Sequence, residues 1–129
     1  DSLFQIAGVA SARRTLGDRP SYAVHVEVAG DLATARVGDE ARGIATYARD
    51  WLGLRGIEVS PERRRRGLGL AVVGALLDWG AERGATTAYL QVLADNEPAL
   101  SLYERLGFTT HHAYRYLAEP HRPAGGALS

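Results

Sequence analysis

The hydrophobic period of this chain changes at one place, and the change limits the folds open to it. Before Val59 the apolar residues alternate in short runs, and after Leu68 they recur at i, i+3, i+4 and i+7. Tyr22–Ala29, Ala33–Val37, Arg42–Tyr47 and Leu52–Val59 read as strands, with Gly30-Asp31 and Gly38-Asp39-Glu40 as turns. Strands so closely spaced predict an antiparallel meander. Past the change, Leu68, Ala71, Val72, Ala75, Leu76 and Trp79 share one face of a helix that Gly84 ends. Ala88–Ala94 is apolar on both faces, as a strand inside a sheet is. Asn96 suits a helix N-cap, with Pro98 in the first turn and Ala99, Leu102, Tyr103 and Leu106 on one face. Gly107 ends that helix, and Phe108–Leu117 reads as a last strand.

Ahead of the meander, Leu3, Ile6, Ala7, Ala10 and Leu16 suit a helix over residues 3–16, stopped by Gly17-Asp18-Arg19-Pro20. The order is helix, strands, helix, strand, helix, strand. It predicts an α/β (α+β) domain with a mixed sheet, antiparallel first and with a parallel crossover in the second half.

A chain of 129 residues fits one such domain, read here as residues 1–119, with 120–129 as a loose Pro- and Gly-containing tail. No apolar run approaches the roughly 20 residues of a membrane span, and no signal peptide is visible. The first residue is Asp1, which suits a trimmed or expressed fragment. With no Cys, the sequence excludes disulfides, Cys-ligated zinc and a Cys nucleophile, and it suits the cytoplasm. All 15 basic residues are Arg, so no Schiff-base or Walker-type Lys exists. The formal net charge is zero, which tells against a nucleic-acid binder.

Two constellations carry chemistry. Arg64-Arg65-Arg66-Gly67-Leu68-Gly69 lies where a strand gives way to a helix. Free N–H groups and the helix dipole favour an anion there, and glycine lets a phosphate approach the backbone. The competing reading is a solvated basic loop, because short glycine motifs are weak signals. A nucleic-acid reading of the four arginines is weaker still, since no aromatics interleave them. The second constellation is Asn96, Ala99, Leu102-Tyr103 and Leu106-Gly107-Phe108. Tyr103 is either a core phenol or a proton donor to a leaving group, a role worth about 10²–10⁴ in rate.

Together the two constellations resemble the GNAT superfamily of acetyl-CoA-dependent N-acetyltransferases. Ile57-Glu58-Val59-Ser60-Pro61-Glu62-Arg63-Arg64-Arg65-Arg66-Gly67-Leu68-Gly69 is similar to its fourth strand and R-x-x-G-x-G loop, and residues 94–108 to its fifth-strand end and following helix. The resemblance runs from about residue 22 to 117 and implies a GNAT-like mixed sheet with helices on both faces. It implies that backbone groups of Ile57 and Val59 pair with the pantetheine arm. The N–H groups around Arg65, Arg66, Gly67, Leu68 and Gly69 hold the pyrophosphate, with Arg64 at the motif's marked position. Asn96, with Ala99 beside it, meets the pantetheine, and Tyr103 protonates the departing thiolate. Acetyl-CoA is then the cosubstrate, no metal takes part, and a small-molecule or peptide amine attacks the thioester directly.

Two departures leave alternatives open. The family has a strand and two helices ahead of the meander, whereas only about 20 residues precede it here. Either the first strand is missing or Ser2–Val9 is that strand. The chain also suits the C-terminal half of a tandem protein with a second acetyltransferase-like domain, and a homodimer is open. Second, a Glu of some relatives, near the start of their fourth strand, falls on Gly53. Asp50 and Glu58 are nearby carboxylates, with Glu58 read as a surface residue. Of His111 and His112, at most one can face a cleft. The alternative function is a non-catalytic acyl-CoA-binding domain.

Overall fold

The computed structural model describes residues 2–17, 22–61 and 67–114. Arg64, Arg65, Arg66, the end of the last predicted strand and the 120–129 tail lie outside them. The elements are β1 (Ser2–Gly8), α1 (Val9–Leu16), β2 (His25–Ala29), β3 (Leu32–Val37), β4 (Ala41–Ala48), β5 (Trp51–Val59), α2 (Leu68–Arg83), β6 (Thr87–Leu93), α3 (Glu97–Arg105) and β7 (Thr109–Tyr114). They form one seven-stranded mixed sheet in the order β2-β3-β4-β5-β6-β1-β7.

The helix expected over residues 3–16 is corrected in its first half. Ser2–Gly8 is a strand, antiparallel to β6 on one side and to β7 on the other. Period 2 wins there because Gln5 and Ala7 point into the core while Phe4 and Ile6 point away. Sequence-local periodicity over so few residues does not separate strand from helix, and pairing on both edges decides it. Gly8, in extended conformation, turns the chain into α1, whose Val9, Ala12 and Leu16 are buried. Among the described residues, the region before the meander holds one strand and one short helix. The next strand begins at His25 rather than Tyr22, and as an edge strand it is mostly exposed.

The meander follows the predicted turns, with one addition. Arg49 and Asp50 join β4 to β5 with φ of 52° and 70°, the left-handed pair that a two-residue hairpin needs. The Asp50 carbonyl accepts bonds from the N–H groups of Thr86 (2.8 Å) and Thr87 (3.3 Å), which fixes this turn to the start of β6.

α2 lies across β3, β4 and β5, with α1 beside it. Small residues on the sheet let it approach: Ala33, Ala35 and Ala45 are fully buried in the same core as Val72, Leu76 and Leu77. Two glycines set the distance. A Cβ on Gly43 would fall 2.5 Å from Ile57 Cδ1 and 2.8 Å from Val72 Cγ1, and one on Gly80 would fall 2.7 Å from Leu52 Cδ2. An Arg13–Asp78 ion pair of 2.9 Å links α1 to α2 at the surface. No helix among the described residues is long and apolar enough to cross a membrane.

Candidate functional site

β5 and β6 run parallel but stay paired only briefly. The rungs are Trp51–Thr87, Leu52–Ala88 and Gly53–Tyr89, and the pairing stops there. Beyond Gly53 the β5 strand leaves β6 and stays with β4. A bulge helps turn it: Gly56 has φ of 63°, and the β4–β5 register shifts between Arg42 and Ile44. A glycine in the left-handed region bends the bulged strand and strengthens its twist. The result is a wedge between Leu54–Val59 on one side and Leu90–Leu93 on the other. The β6-facing edge of β5 beyond Gly53 has no strand partner among the described residues, so its backbone groups can pair with an extended ligand.

The wide end of the wedge meets the start of α2. Gly67 sits just before the helix with φ of 80°, a conformation glycine adopts without strain. No side chain among the described residues caps the helix, and its leading N–H groups favour an anion. Leu68 is buried and anchors the first turn. Gly69 serves packing as well. A Cβ there would lie 3.2 Å from Leu102 Cδ2 on α3 and 3.7 Å from Val59 Cγ2 on β5. The Ile57 side chain turns toward Gly43 and α2, leaving its backbone to face the wedge.

On the β6 side, the Asn96 Oδ1 accepts the Ala99 N–H at 3.3 Å and caps α3. The Ala99 N–H is therefore committed within the protein, and the Asn96 side-chain NH₂ is the group left to meet a ligand. Pro98 occupies the first turn, where no N–H is needed. Tyr103 follows one and a half turns on. Its ring is buried and meets Phe108 edge-on at 5.6 Å. Its carbonyl holds the helix end by accepting the N–H groups of Leu106 and Phe108, each at 3.0 Å. Burial pushes the Tyr103 phenol up from 10.0 to about 12, so its proton stays on at neutral pH. That hydroxyl has no hydrogen-bond partner within the described residues.

The candidate bases divide clearly. Glu58 forms a surface ion pair with Arg42 at 3.1 Å, the role the sequence suggested. Asp50 accepts the Tyr47 hydroxyl at 3.3 Å and belongs to the hairpin turn. His111 is exposed, and the His112 side chain lies outside the described residues. Gly53 has a neighbour that sequence reading missed: its Cβ, if it had one, would lie 2.7 Å from the Tyr89 hydroxyl. The signal was weak, a polar atom at alternate positions within a strand read as apolar on both faces. No cluster of His, Asp and Glu able to hold a metal occurs among the described residues.

Comparisons with known proteins place the chain in a family and a fold. A family model described as "Probable histone acetyltransferase Rv0428c C-terminal" matches residues 9–117. The Mycobacterium tuberculosis protein described as probable histone acetyltransferase Rv0428c is 43% identical over 82 residues, covering 60% of this chain and 26% of that protein. The Escherichia coli [ribosomal protein bS18]-alanine N-acetyltransferase is 46% identical over 52 residues, covering 40% of this chain and 35% of its own. The crystal structure of an enzyme of that name from Escherichia coli superposes with a TM-score of 0.56 at 25% identity, covering 83% of this chain and 78% of that one. The structure of AAC(6')-Iy in complex with a bisubstrate analog, CoA-S-monomethyl-acetylneamine, superposes with a TM-score of 0.58 at 18% identity over 88% of this chain and 96% of that one. That last likeness is one of fold alone. The matched stretch spans from 16% to 48% of the length of the curated relatives.

Proposed function

The chain belongs to the Rv0428c C-terminal family within the GNAT superfamily, and from that premise we propose that it transfers an acetyl group from acetyl-CoA to a primary amine. The observation that carries this reading is the wedge between β5 and β6, which opens onto the start of α2, capped by no side chain among the described residues. In this reading the pantetheine arm lies along the free edge of β5 at Ile57 and Val59, as an added strand would. The pyrophosphate rests on the N–H groups of Gly67, Leu68 and Gly69, with Arg64, Arg65 and Arg66 supplying charge. A CoA bisubstrate analog bound to a protein of the same fold supports the choice of cosubstrate.

The chemistry needs few groups. The amine nitrogen attacks the thioester carbon, the C–S bond breaks, and the thiolate takes a proton. Tyr103 is the proposed donor of that proton, because its phenol is kept protonated by burial and no Cys exists to carry an acyl group. The proton lost by the attacking nitrogen passes to water, since the candidate carboxylates Asp50 and Glu58 are engaged elsewhere.

An amine-panel assay read by release of free thiol tests the proposal. Thiol release that saturates with acetyl-CoA is the expected result. A second reading, a non-catalytic acyl-CoA-binding domain of a larger protein, is favoured by the glycine at position 53. Calorimetric binding of acetyl-CoA with no product from any amine of a broad panel would select it.

A further inference from the structure

The sheet face opposite α1 and α2 carries the feature that the proposed chemistry leaves unused. Register puts Gly53 and Tyr89 on the same rung and therefore on the same face. Leu52 and Ala88, one residue earlier, point the other way into the core. The Tyr89 ring crosses onto β5 and lies over Gly53, so close that a methyl there would meet the hydroxyl oxygen at 2.7 Å and Cζ at 2.8 Å. The ring is held from both sides. Phe4 of β1 is 5.8 Å away centroid to centroid, and Trp51 of β5 is 5.6 Å away. Three aromatic rings packed on adjacent strands keep little side-chain freedom, so the hydroxyl has a fixed address.

That address is the apex of the wedge, because Gly53–Tyr89 is the last rung before the strands part. No hydrogen bond within the described residues engages the hydroxyl, and the residue is half-buried rather than sealed. The face around it is open: Thr46, Trp51, Arg55 and Gln91 are exposed. An acyl arm entering at α2 and running down the edge of β5 has its far end directed to this rung.

We propose that the Tyr89 hydroxyl holds the attacking amine, accepting an N–H hydrogen bond so that the nitrogen lone pair faces the thioester carbon. A phenol oxygen can accept this bond while donating its own proton to water. Gly53 is glycine so that the ring can take this position. The assignment rests on the acetyl-transfer reading and adds to it the group that orients the acceptor.

The test is steady-state kinetics for both substrates on the wild type, Tyr89→Phe, Gly53→Ala and the double variant. Tyr89→Phe keeps the ring and its packing, so the melting temperature and KM for acetyl-CoA stay at wild-type values. The expected change is a fall of about tenfold or more in kcat/KM for the amine. Gly53→Ala displaces the ring and gives a similar loss, and the two losses combine to less than their product because they act through one group. Wild-type values of amine kcat/KM in Tyr89→Phe would overturn the assignment and leave acetyl transfer standing. A wild type that binds acetyl-CoA but acetylates no amine would overturn both.

Discussion

Leu102 of α3 packs against Gly69 of α2, with its Cδ2 3.2 Å from where a Cβ on Gly69 would sit. This contact joins the two constellations that the sequence presents separately. It holds the Asn96–Tyr103 helix against the start of α2, where the proposed pyrophosphate site lies. The distance is tighter than an ordinary van der Waals contact, so a side chain at 69 must push Leu102 aside.

Replacing Gly69 with Leu should therefore damage the donor site before it damages the fold. Acetyl-CoA affinity measured by calorimetry is expected to fall at least tenfold. The far-ultraviolet dichroism spectrum is expected to keep its native shape, because the rest of α2 is anchored by Val72, Leu76 and Leu77. Normal affinity would remove the α2 start from the binding site.

Gly80→Ala sets two effects against each other. Alanine gains about 0.8–1 kcal/mol in helix propensity. Overpacking a core costs about 1–3 kcal/mol, and here the new methyl would lie 2.7–2.9 Å from both methyl carbons of fully buried Leu52. Leu52 sits in a strand paired on both sides at this point, so it has little room to yield. Packing is expected to win, lowering the melting temperature by several degrees in a thermal scan.

Asn96 offers a way to separate a cap from a ligand contact. Asn96→Asp keeps an oxygen to accept the Ala99 N–H but loses the NH₂ donor. It is expected to retain wild-type stability while weakening acetyl-CoA binding. Asn96→Ala loses the cap too, at a cost of about 0.5–2 kcal/mol in stability. Parallel denaturant melts and binding isotherms on the two variants give the split.

Tyr103→Phe is expected to lower turnover by about 10²–10⁴ with acetyl-CoA affinity unchanged. It should also alter alkaline stability. The folded phenol titrates near 12 against 10.0 for an ordinary tyrosine. Below pH 10 both folded and unfolded chains hold the proton, and this group adds no pH dependence. Between about 10 and 12 the unfolded chain releases it first, so stability falls as pH rises through that window. The wild-type minus Tyr103→Phe difference in unfolding free energy should decline across it.

Much of this was legible from the chain alone, and what was not has physical causes. The β5–α2–β6–α3 segment could be read because its signals are local: Gly67 and Gly84 bracket a helix, and Asn96 with Pro98 opens another. Residues 3–16 suit a helix by local period, with Ser2–Val9 as a strand the open alternative, because the choice depends on β6 and β7, which lie late in the sequence. The bulge at Gly56 was invisible for the same reason, since a glycine inside a strand does not announce its φ. Tyr89 was hidden by its neighbours: Ala88 and Leu90 made the strand look apolar throughout, whereas only one of its faces is sealed. Asn96 was placed correctly as a cap, but the commitment of its oxygen to the Ala99 N–H emerges only from geometry.

The wedge between β5 and β6 as the acetyl-CoA site is tested most directly by a backbone amide titration with acetyl-CoA, followed by nuclear magnetic resonance. Saturable shifts confined to Gly53–Val59, Gly67–Gly69, Tyr89–Ala99 and Tyr103 are expected, with the β2–β3 hairpin undisturbed. Saturable shifts centred on any other surface, or none at millimolar acetyl-CoA, would contradict it.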